Sequence, residues 1–173
     1  GLVTPLGTGT DANWDALCAG RSGITAITRF DTSFVPARIA GQVPDFDPVR
    51  FIERKDVKKM DVFIQYAVAA AQLAVDQAGL PHPLAEPERT GVIVGVGMGG
   101  IASIEEAFPH FAAKDIRRAS PFILPRLIPN MAPGHIALRF GARGPSWATA
   151  SACASGGHAL GEAAAFIRDG RQD

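Results

Sequence analysis

The sequence predicts an α/β domain, because runs with helical spacing and runs with strand character alternate along it. Apolar residues recur three or four apart from Asp56 to Ala78, a β-branched run follows at Thr90–Val94, and a small-residue strand at 147–150 leads through Gly156-Gly157 into an alanine-rich helix. A strand, a sharp turn and a helix in that order is the pattern of layered α/β structure.

Composition sets the outer bounds. The chain has 173 residues, with 17 Lys+Arg against 17 Asp+Glu, so no long-range field draws it to nucleic acid or to an anionic membrane. Any partner is then recognised by a local patch. A hydrophobic share of 47% with 20% charged residues describes a folded chain, of a length that closes one substantial core. The two cysteines, Cys18 and Cys153, do not make the disulfide framework of a small secreted scaffold, which points to a reducing, cytoplasmic home. No apolar run is long enough to span a membrane, and neither a membrane span nor a signal peptide is expected. The start at Gly1 without an initiator Met and the turn signal at Asp169-Gly170 before the last residues are expected to mark a domain, 1–173, cut at both ends.

Taken in order, residues 11–19 form a short amphipathic helix, with Thr10 or Asp11 as N-cap and Gly20 as its stop. Cys18 on that helix is expected to be a buried, inert thiol. Residues 38–43 suggest a short strand, and Asp47-Pro48 reads as a cap followed by a helix. The segment 56–78 is expected to be one long helix with Val57, Met60, Ile64, Ala67, Ala71, Ala74 and Ala78 on its buried face. Lys55, Lys58 and Lys59 then fall on one side of its first turn, where the helix dipole disfavours cations, and such a cluster points to an anionic partner. Gly95, Gly97 and Gly100 satisfy G-x-G-x-x-G after the Thr90–Val94 strand, but no strand ending in an acidic residue follows around Asp115, so dinucleotide binding is rejected. Residues 120–134, punctuated by Pro121, Pro125, Pro129 and Pro133, are expected to be a tightly folded apolar lining. His135 and His158 have no second ligand at metal spacing, so neither a metal nor a cofactor is expected.

Chemistry concentrates at Cys153. The stretch 147–161 takes a strand into a thiol and then into a helix, which exposes the side chain on a tight turn, surrounds it with small neighbours and favours thiolate at the helix N-terminus. A nucleophile there is the reading the spacing supports.

Ala150-Ser151-Ala152-Cys153-Ala154-Ser155-Gly156 resembles the active-site segment of the β-ketoacyl-acyl-carrier-protein synthases, and the match is close to the synthase II type. The resemblance extends through Gly1–Gly7, Arg29-Phe30-Asp31, Arg54-Lys55, Lys59–Tyr66, Ser120-Pro121-Phe122, Asn130-Met131, Gly134-His135 and Arg143–Ser146. It implies the N-terminal half of a thiolase-like α/β/α/β/α fold and decarboxylative Claisen condensation in fatty acid synthesis. Cys153 would carry the acyl group, and its backbone N–H would help form the oxyanion hole. The family's catalytic histidines, a lysine and a glycine-rich loop lie in the second half, so this segment alone is expected to be inactive. The resemblance also implies a homodimer and an acyl carrier protein docked on Lys55, Lys58 and Lys59, with Arg117 and Arg118 as a second contact. Met98 matches a position that reaches the acyl pocket from the dimer interface, with Phe122, Ile123 and Ala152 as further pocket residues. A synthase I or a polyketide ketosynthase would share Cys153, whereas chain-length factors lack it.

Overall fold

The computed structural model describes residues 1–173, apart from the side chain of Ile116. The chain opens on an antiparallel hairpin, β1 (Val3–Thr4) with β2 (Gly7–Thr8), and enters α1 (Thr10–Cys18). Gly20 stops α1 at φ 63, as its glycine led us to expect. The expected Thr10 or Asp11 cap is absent; buried Asn13 instead ties α1 to the segment before it, donating to Gly7 O at 3.0 Å and Gly9 O at 2.7 Å and accepting from the Thr4 hydroxyl. Because α1 buries Asn13 and Ala16, the face with Trp14 and Leu17 is turned outward, and Cys18 is exposed rather than buried.

β3 (Ile24–Ala26) pairs antiparallel with β4 (Ile39–Gly41), inside the predicted 38–43 strand. Asp47 caps as expected, accepting from Val49 N at 3.1 Å, but the helix it starts is a single 3-10 turn, Pro48–Arg50.

The long helix expected over 56–78 is two helices, α2 (Arg54–Val57) and α3 (Val62–Gln77). Asp61 causes the break: its carboxylate accepts from Phe63 N at 3.4 Å and starts α3 anew. Buried Gln65 closes the gap from the other side, donating to Met60 O at 3.0 Å and to Val57 O at 3.3 Å, the latter also accepting from Met60 N. Val57 and Met60 still pack on the core, but beyond the break α3 buries Ile64, Val68 and Ala69, while Ala74 and Ala78, expected on the buried face, are exposed.

β5 (Val92–Gly95) then leads to α4 (Ile101–Ala112), α5 (Ile123–Leu127) and α6 (Met131–Phe140). Pro125 and Pro133 are tolerated there because each is the third residue of its helix, where no backbone N–H is needed. The final unit is β6 (Ser146–Thr149) followed by α7 (Ser155–Arg168).

β5 and β6 run parallel, with Val92 opposite Ser146 and Gly95 opposite Thr149. Alternation along β5 sends Val92 and Val94 to one face, against a core of Phe51, Ile52, Ile64, Val68, Ala69, Ile136 and Phe140 from α3, α6 and the 3-10 region. Ile93 and Gly95 face α7 instead, where Trp147 packs against Phe166 with ring centroids 5.2 Å apart and planes tilted by 56°. The result is a parallel pair between α3/α6 on one side and α7 on the other, which holds both strand ends at one level.

Candidate active site

Cys153 lies where β6 gives way to α7, inside a 3-10 turn over Ala152–Ala154, and its thiol is exposed. Ala152 takes the left-handed conformation at φ 50, which turns the chain sharply enough to present the next side chain outward. Buried Ser155 locks the turn: its hydroxyl donates to Ala152 O at 2.7 Å and accepts from Ser151 N at 2.9 Å. Thr149 adds a third tie, its hydroxyl donating to Ser155 O at 2.8 Å. His158 stands one turn into α7 and shares a hydrogen bond of 2.6 Å with the Ser151 hydroxyl, a structural role. Ser155 was not singled out from the sequence, although a serine opening an alanine-rich helix is the signal that could have found it.

Gly95 explains how α7 comes so close. A Cβ on it would lie 2.3 Å from the Ser155 carbonyl carbon, so backbone meets backbone there. Gly97 lies against the elbow from the β5 side, its added Cβ 3.5 Å from Ala152 O. Gly99 and Gly100 press on Leu127 O and Arg126 O at the end of α5. The glycines that mimic a dinucleotide fingerprint are thus spent on packing.

The 96–100 loop walls a cavity of about 240 Å³ lined by Phe63, Ala67, Val94, Val96, Met98 and Ala132 among others. Met98 stands at its edge, 73% exposed. The structure brings Met98 and Ala152 to neighbouring parts of one site through Gly97. Ile123 lines a different, polar cavity of about 120 Å³ with Ser103, Glu106, His110, Arg118 and Arg126. Phe122 lies beneath Lys59, whose Nζ is 5.9 Å from the ring centroid.

The basic cluster is reshaped by the break at Asp61. Lys55 lies within the single turn of α2 and Lys58 is its C-cap, so neither stands on the first turn of a long helix as one continuous 56–78 helix implied. Lys55 pairs with Glu53 at 2.7 Å, and Lys59 with Asp56 at 2.6 Å, which holds the Asp56 carboxyl below its usual range. Among the described residues, exposed Lys58 has no ion pair, and neither has exposed Arg54, a cation that the sequence reading left out of the cluster. Arg117 and Arg118 are exposed on a 3-10 turn, Arg118 at 3.1 Å from Asp115. Behind α2, half-buried His135 leaves Nε2 without a partner, and burial lowers its pKa against the opposing pull of Asp56.

The profile described as beta-ketoacyl synthase, N-terminal domain, matches residues 1–173. The chain belongs to the β-ketoacyl synthase family. Within that family, the 3-oxoacyl-[acyl-carrier-protein] synthase 2 of Synechocystis sp. is 40% identical over 170 residues, 98% of this chain and 41% of that protein. Among solved structures, the ishigamide ketosynthase/chain length factor superposes over 100% of this chain and 43% of that one, with a TM-score of 0.86 and 35% identity. A type II PKS acyl-carrier protein in complex with its ketosynthase matches with a TM-score of 0.73 and 26% identity, over 77% of this chain and 38% of that one. The fold of this β-ketoacyl synthase domain is thiolase-like, and the chain spans about two fifths of the length of these relatives. Among its described residues no helix is long and apolar enough to cross a membrane.

Proposed function

We propose that Cys153 is the acyl-accepting nucleophile of a 3-oxoacyl-acyl-carrier-protein synthase that elongates fatty acids. The exposed thiol on the locked β6–α7 turn carries this reading. In the first half-reaction Cys153 Sγ attacks the thioester carbonyl of an acylated carrier protein, the carrier's thiol leaves, and the acyl group stays on the enzyme as a new thioester. In the second, a malonyl group on a carrier loses carbon dioxide and the resulting carbanion attacks that thioester, giving the 3-oxoacyl carrier and freeing the thiol. The Cys153 backbone N–H serves the oxyanion that forms at the acyl carbonyl.

The carrier docks on Lys55, Lys58 and Lys59, with Arg117 and Arg118 as a second contact. Within the first group the unpaired Lys58, joined by Arg54, makes the larger contribution, because Lys55 and Lys59 are already engaged by carboxylates. Met98 and Ala152 shape the acyl pocket, whereas Phe122 and Ile123 are not among the residues lining the 240 Å³ cavity. The working protein is a cytoplasmic homodimer, and residues 1–173 alone are inactive because the proton-handling groups implied by the family resemblance lie beyond them. The likeness to the ishigamide ketosynthase supports a second reading, polyketide chain extension, which uses the same thiol.

Intact mass of the full-length protein after incubation with an acylated carrier tests the assignment. One acyl group is added to the wild type and none to Cys153→Ala, while Lys58→Glu raises the carrier KM without altering Cys153 alkylation. A wild type that takes up no acyl group overturns the reading, and an unchanged KM in Lys58→Glu overturns the docking assignment. Competition between a saturated acyl carrier and a 3-oxoacyl carrier as the group to be extended separates the two readings: a fatty acid synthase prefers the first and a polyketide ketosynthase the second.

A further inference from the structure

Asp61 has more to do than start a helix. It is buried, and its two oxygens serve two different elements. Oδ1 accepts from Phe63 N at 3.4 Å in the first turn of α3, and Oδ2 accepts from Ser103 N at 3.2 Å and Ser103 Oγ at 2.5 Å in the first turn of α4. The N-cap of α4 is Gly100, which has no side chain to offer, so Asp61 caps that helix through Ser103, 42 residues along the chain. The same two elements form facing walls of the 240 Å³ cavity: Phe63 and Ala67 come from α3, and Met98 and Gly99 from the loop that enters α4. Gly100 fixes the far end of that loop, its added Cβ 3.1 Å from Asp61 Oδ2 and 2.1 Å from Arg126 O, while Gly97 rests on the Cys153 elbow.

We propose that Asp61, through Ser103, is a positioning residue that sets the spacing of these two walls and thereby the acyl chain length the enzyme prefers. The inference rests on the condensing-enzyme reading of Cys153. A carboxylate suits the task because it accepts at both ends, whereas an amide keeps one acceptor and turns a donor toward Ser103. A change of one methylene in an apolar pocket is felt as about tenfold or more in selectivity, so a small shift of the Met98 wall registers in the chain-length profile.

The test compares loading of Cys153 from octanoyl and hexadecanoyl carriers, followed by intact mass, in the full-length wild type, Asp61→Asn and Ser103→Ala. Both variants are expected to change the ratio of the two loading rates by about tenfold in the same direction, with Cys153 alkylation by iodoacetamide unchanged. Ser103→Ala removes one hydroxyl and decides alone if Asp61→Asn does not fold. An unchanged ratio in folded variants, or loss of folded protein in both, assigns Asp61 a purely structural role and overturns the proposal. A wild type that loads from neither carrier overturns the condensing-enzyme reading, and this inference with it.

Discussion

The two parallel strands end side by side, and each is followed by a connection of the same length, 96–100 after β5 and 150–154 after β6. From this common start the two connections do opposite things. The 150–154 turn is held from within, by Ser155 reaching back to Ser151 and Ala152, and it presents one reactive side chain. The 96–100 loop is held from outside, by Asp61 and by the carbonyls ending α5, and it presents a flexible apolar wall. A nucleophile needs a geometry that its neighbours cannot easily move, and local hydrogen bonds supply it. A wall that must fit a chain can be set by distant residues, and is open to adjustment through them.

The strongest way to break this pairing is at the point where the two units touch. Gly95→Ala places a methyl group within 2.4 Å of the Ser155 and Gly156 backbone, which cannot yield as a side chain could. Denaturant unfolding is expected to show a loss of about 3 kcal/mol or more, together with loss of Cys153 acylation, as α7 retreats from β5. The next effect belongs to the inner lock. Ser155→Ala leaves Ser151 N without its partner, while Ala152 O keeps the Ser155 backbone N–H, and it is expected to cost about 1–3 kcal/mol and to slow acyl loading. Ser151→Ala, which frees only the exposed His158 contact, stays within about 1 kcal/mol by the same measurement. The smallest effect sharpens the contrast: Gly97→Ala adds a methyl at an ordinary 3.5 Å from Ala152 O, and it is expected to change stability by less than about 1 kcal/mol. Equal losses for Gly95→Ala and Gly97→Ala would show that the two loops are not held differently.

The features legible in the sequence were those that depend on near neighbours. The β5 and β6 strands, the stop at Gly20, the cap at Asp47 and the strand-to-helix turn at Cys153 are all dictated by residues within a few positions. The features that escaped depend on partners far along the chain. The apolar spacing through Val57 and Met60 concealed the break at 58–61, because both residues pack on the core whether or not the helix is continuous. Asp61 was passed over inside the expected 56–78 helix, and its second partner, Ser103, lies on another helix. Cys18 was misjudged because the buried face of α1 is set by Asn13 holding the β1–β2 hairpin, not by the apolar side chains beside it.

Enlarging a binding site usually weakens the protein that holds it. Ala152 reverses that rule for anyone engineering this domain. Its backbone at φ 50 is disfavoured for an L-residue by about 1–2 kcal/mol and is comfortable for glycine. Deleting its methyl beside the thiol therefore widens the approach to Cys153 and relieves the turn in one step, so a redesign toward bulkier acyl donors can begin with a change that leaves stability in reserve for later ones.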